Sequence, residues 1–109
     1  MPRVPSILVA ALIAAPIAVE AQQVDRAAAM AAHMRLCQNA VLSNPGAAAA
    51  LSTFGSSVRD LCECYSSIAA SAMRREEISA FLRAGVPAPS FADRAKAAWG
   101  YCVVQNTGG

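Results

Sequence analysis

Apolar residues recur at helical spacing along most of this chain, and no segment alternates long enough to suggest a strand. The clearest stripe runs from Ser57 to about Ala72, where Val58, Leu61, Tyr65, Ile68 and Ala72 share one face. Ser56 or Ser57 offers a side-chain oxygen to cap the start. Asp60 puts a negative charge in the first turn, where the helix dipole favours it. Cys62 and Cys64 stand on the two borders of the stripe. Each residue of a helix advances by about 100°, so cysteines two apart diverge by about 200°. They can neither bond to each other nor close on one metal ion while the helix is intact. Each needs a partner from a helix packed on its own side.

Upstream, Val24 to about Ser43 is rich in strong helix formers, with Asp25 as the expected N-cap. Met30, Met34, Cys37 and Val41 fall on one face, which predicts a buried stripe that includes Cys37. His33 falls beside that stripe and reads as a surface residue. Asn44-Pro45-Gly46 ends the helix, and a short helical turn over Ala47 to Leu51 stops near Phe54-Gly55.

Downstream, Met73 to Glu77 is a charged junction, read as solvated surface. Ile78, Phe81 and Leu82 edge a short helix that Gly85 stops, and Val86-Pro87-Ala88-Pro89 forms an extended connector. Ser90 is the expected N-cap of a last helix, Phe91 to about Gln105, with Asp93 placed for a capping box. Phe91, Ala95, Ala98, Trp99 and Cys102 share its buried face, so most of the few aromatic residues are expected in the core. Gly100 would let a neighbouring helix approach closely, and Asn106 to Gly109 reads as a frayed end. These elements predict a small all-α bundle of three long helices plus one short helix, stapled by disulfides.

The first residues change the picture of where this bundle works. Arg3 precedes an uncharged, apolar run from Val4 to Val19, interrupted by Pro5 and Pro16, and small residues stand at Val19 and Ala21. That is the form of a secretory signal peptide cut after Ala21. Residues 1–21 are then a cleaved leader and 22–109 a single helical domain, exported to the periplasm or secreted. An uncleaved anchor would need about 20 uninterrupted apolar residues, which the run does not supply, so no stable membrane span is expected after cleavage.

A domain of this length buries only about 60 to 65% of its unfolded surface and needs covalent help. Four cysteines, all after residue 21, can provide it. Two pairings satisfy the helix geometry: Cys37 to Cys62 with Cys64 to Cys102, or Cys37 to Cys64 with Cys62 to Cys102. Both close loops of similar length, worth about 3.5 and about 4 kcal/mol in the chain-entropy model, so energetics leaves the order open.

The chemistry on offer is limited. Removing residues 1–21 takes away one cation and one anion and leaves the formal charge at +2, too little to indicate nucleic acid. A redox pair would need Cys-x-x-Cys, a nucleophilic triad more than the single histidine, and a phosphate loop a glycine run; none is present. Glu76 and Glu77 are consecutive and diverge on a helix, wrong for an acid/base pair. No enzyme and no cofactor are therefore expected. The alternative is a periplasmic soft-metal binder holding Cu(I) or Zn(II) through Cys37, Cys62, Cys64 and Cys102, with Met30, His33 and Met34 nearby.

In general character the chain resembles small exported bacterial helical proteins, among them periplasmic acid-stress chaperones and immunity proteins that block secreted toxins. The likeness rests on a signal peptide, four helices and cysteine staples, not on a motif. It implies a chaperone-like or inhibitor-like interaction module whose partner is another protein. The candidate interface residues are Arg74, Arg75 and Arg83, a basic edge, and Trp99 and Tyr101, of which the helix can bury only one.

Overall fold

The computed structural model describes the backbone of residues 3–108 and the side chains of residues 21–108. Among the described residues five α-helices follow one another: α1 (Arg3–Leu42), α2 (Pro45–Thr53), α3 (Val58–Ala72), α4 (Arg75–Ala84) and α5 (Ala92–Thr107), with a 3-10 turn at Pro89–Phe91 before α5. The all-α class is as expected, and no strand occurs among the described residues. The count of three long helices and one short one is not: the turn over Ala47 to Leu51 is a nine-residue helix, since Pro45 is accommodated at its start and Asn44 precedes it in extended conformation. The leader expected over residues 1–21 falls, but for Ala21, outside the residues whose side chains are described. Asp25 lies within α1 and caps nothing.

α3 is the central element, packed against α1 on one side and α5 on the other, while α4 and α2 pack on α1. Its start is set as the sequence predicts: the Ser57 side chain accepts from the Asp60 amide at 3.1 Å. Its end has no basic residue of its own in the last turn. Two guanidinium groups from other helices satisfy the orphan carbonyls instead. Arg26 of α1 donates to Ala70 O and Met73 O, and Arg94 of α5 donates to Ala72 O at 2.6 Å. Replacing Ser57 by Ala should cost about 1 kcal/mol, read as a lower urea midpoint with an unchanged slope.

The core has two apolar clusters. One gathers Ala29, Ala69, Ala70, Met73, Ile78, Phe81 and Phe91; the other gathers Cys37, Val41, Leu51, Leu61, Cys62 and Cys102. Tyr65 lies against both. The buried stripe of α1 is therefore Ala29, His33, Cys37 and Val41, one residue away from the stripe expected through Met30 and Met34. Met30 is exposed and Met34 half-buried. The rotation follows from packing: Ala29 lets α3 and α4 come close, and His33 fills the space among the aromatic rings. α4 ends at Gly85, whose φ of +77° needs the left-handed freedom of glycine. Gly100 has no neighbour close enough to explain its lack of a side chain.

Candidate interaction surface

The Cys62-Glu63-Cys64 doublet lies wholly within α3, so its sulfurs point to opposite sides. Cys62 is bonded to Cys37 of α1, with Cα atoms 5.6 Å apart, and Cys64 to Cys102 of α5, with Cα atoms 5.8 Å apart. This resolves the order the sequence left open. Cys62 turns toward α1, and Cys64 toward α5. The soft-metal alternative needs these sulfurs as thiolates, whereas all four are paired. Among the described residues no group of three or more His, Cys, Asp or Glu side chains gathers in metal-binding geometry.

His33 is not a surface residue: it is 1% exposed. Its Nε2 lies 3.3 Å from Met73 Sδ, and its ring meets Phe81 at 4.4 Å, Phe91 at 5.7 Å and, edge-on, Tyr65 at 5.8 Å between centroids. Burial among these groups disfavours the charged form and lowers its pKa below the usual 6.5. The folded protein thus binds this proton less readily than the unfolded chain. Stability from His33 is complete above pH 6.5 and is lost as pH falls through the lowered value. A melting midpoint that drops as pH falls below about 6.5 is expected, and His33→Phe should flatten that decline.

The charged junction also differs from expectation. Glu77 is 4% exposed. Its carboxylate accepts from Arg94 Nη1 and Nη2 at 2.7 and 2.6 Å, from Ser90 Oγ at 2.6 Å and from the Arg74 amide at 2.8 Å. The Arg94 guanidinium, the Ser90 hydroxyl and the Arg74 amide hold the Glu77 carboxyl down at about 2. Ser90 thus donates across to α4 and does not cap α5, and Asp93 closes no capping box. Arg94 also lies over the Phe91 ring at 5.3 Å.

The candidate interface residues Arg74, Arg75, Arg83, Trp99 and Tyr101 are all exposed, but in two places. Arg74 and Arg75 stand at the start of α4 and Arg83 near its end. Trp99 and Tyr101 lie on opposite flanks of α5. Trp99, 39% exposed, leans edge-on against Tyr65 at 5.7 Å. Tyr101 is 55% exposed and Val104 47%, and with exposed Ala97 they recur at i, i+4 and i+7 on the side of α5 turned away from Trp99. Phe54 is exposed as well, so the core holds fewer aromatic rings than expected. The end of α5 is ordered by Asn106, whose side chain donates to Cys102 O and accepts from Ser56 Oγ at 3.0 Å.

The chain matches no protein-family model, no curated protein and no solved structure. An open groove of roughly 760 Å³ lies between α1 and α4, lined by Gln22, Gln23, Asp25, Arg26, Arg75 and Ser79 among others. Among the described residues no helix is long and apolar enough to cross a membrane, and the two disulfides point to an oxidising, extracellular environment.

Proposed function

We propose that this is an exported, non-enzymatic interaction module that binds another protein through the Ala97, Tyr101 and Val104 face of α5. The observation that carries the reading is that α5 packs on α3 along one side, while its other side presents a tyrosine and a valine in helical register. Single exposed apolar residues are ordinary, but an aromatic and an aliphatic aligned on one rigid face make the seed of an interface. The Cys64 to Cys102 bond and the Ser56 to Asn106 hydrogen bond fix α5 beforehand, which lowers the entropy lost on docking. The arginines of α4 form a separate basic edge that suits an acidic rim on the same partner.

Photo-crosslinking from position 101 in the exported protein tests this. A discrete adduct should form from position 101 and not from position 59 on the solvated face of α3. Tyr101→Ser with Val104→Ser should abolish the partner's co-elution while leaving the melting midpoint within about a degree or two. Equal adducts from both positions, or none from 101, would exclude this face.

A further inference from the structure

We propose that Gln22 is a modification site: once the leader is removed after Ala21, its freed α-nitrogen closes on its own side-chain amide to give a pyroglutamyl end. The proposal rests on the export reading and on that cut. In the reaction the α-nitrogen attacks the side-chain amide carbon, a new C–N bond forms, the bond to Nε2 breaks and ammonia leaves. No oxidant, reductant or co-reactant is needed, and the α-nitrogen loses its charge.

Three features of the chain favour closure. First, Gln22 is exposed, and among the described residues no side chain from 21 to 25 makes a hydrogen bond or an ion pair that would hold the glutamine away from its own nitrogen. Among the described side chains of α1 the first anchored one is Arg26, bonded to the end of α3. Second, the backbone at residue 22 is helical, so the cut places the new amine at a helix N-terminus, where the unpaired amides carry partial positive charge and an ammonium is unfavourable. Third, Arg26 and Arg75 line the same groove as Gln22, with Asp25 as the single acid there, so a further cation meets net positive charge. The lactam removes that cation and leaves a neutral, protease-resistant end at the mouth of the groove.

The test is the intact mass of the exported, non-reduced protein together with a count of its reactive amines. Lys96 is the only lysine in the chain. A pyroglutamyl end therefore leaves a single site for an amine-reactive reagent, and pyroglutamyl peptidase should restore a second. A mass of residues 22–109 with both disulfides and one ammonia lost, labelled once, is the expected result. The same residues with the ammonia retained and two labels would overturn cyclisation while leaving export and the cut in place. A chain beginning at any other residue would overturn both. Gln22→Ser should be exported normally and label twice, which ties the missing label to the glutamine.

Discussion

Replacing Cys37 and Cys62 together by alanine is expected to lower the unfolding free energy by about 3.5 kcal/mol, and replacing Cys64 and Cys102 by about 4 kcal/mol. Both figures follow from the loops closed, with sequence separations of 25 and 38. Each is a large share of what a domain this small holds in total, so full reduction should unfold it. The two bonds should also differ in how readily they open. Cys37 and Cys62 are both buried, whereas Cys64 is half-buried, so a dithiol should reach the Cys64 to Cys102 bond first. Urea unfolding of the two double variants gives the magnitudes, and timed alkylation under mild reduction gives the order. Equal stability of wild type and both variants would mean that the apolar clusters hold the fold without staples.

Removing the guanidinium by Arg94→Ala is expected to lower the melting midpoint by about 10 °C or more, because it strands the buried Glu77 carboxylate and uncaps Ala72 O together. Glu77→Gln should cost less, since the amide keeps part of the hydrogen bonding to Ser90 and to Arg94. The pH profile separates this cluster from His33. Glu77 has its folded value near 2 against an ordinary 4.5, so its contribution is complete above about pH 4.5 and is lost as pH falls through about 2. His33 acts above that, from pH 6.5 downward. Acid titration of stability should therefore show a decline that starts near pH 6.5 and is removed by His33→Phe, and a decline that starts near pH 4.5 and is removed by Glu77→Gln.

The parts of this architecture that depend on neighbours in sequence could be read from sequence. Ser57 caps α3 because its acceptor and the Asp60 amide are three residues apart, and Gly85 ends α4 because only local backbone geometry is involved. The divergence of Cys62 and Cys64 is likewise a property of one helix. Three residues could not be placed this way. His33 scores as polar, yet Phe81, Phe91 and Tyr65 reach it from three other segments and bury it. Glu77 sits in a run of charges that reads as solvent-facing, while the arginine that neutralises it lies seventeen positions away. Ser90 has good capping chemistry, but a carboxylate on another helix outcompetes the local amides. The exposure of Tyr101 was legible from helical spacing, but the same spacing put Trp99 on the buried face, where it stays 39% exposed against Tyr65.

Under the export proposed above, the winding of α3 through both of its cysteines also bears on the order in which the two bonds form. Cys37, Cys62 and Cys64 would then reach the oxidising side before Cys102, so that for a time Cys37 would have two suitors and one thiol would wait. A helix already formed around the doublet would turn Cys62 toward its upstream mate and hold Cys64 in reserve for the latecomer. Choice of bond would thus be made by backbone conformation before the last helix arrives, and an unwound doublet would let the wrong sulfur be taken first.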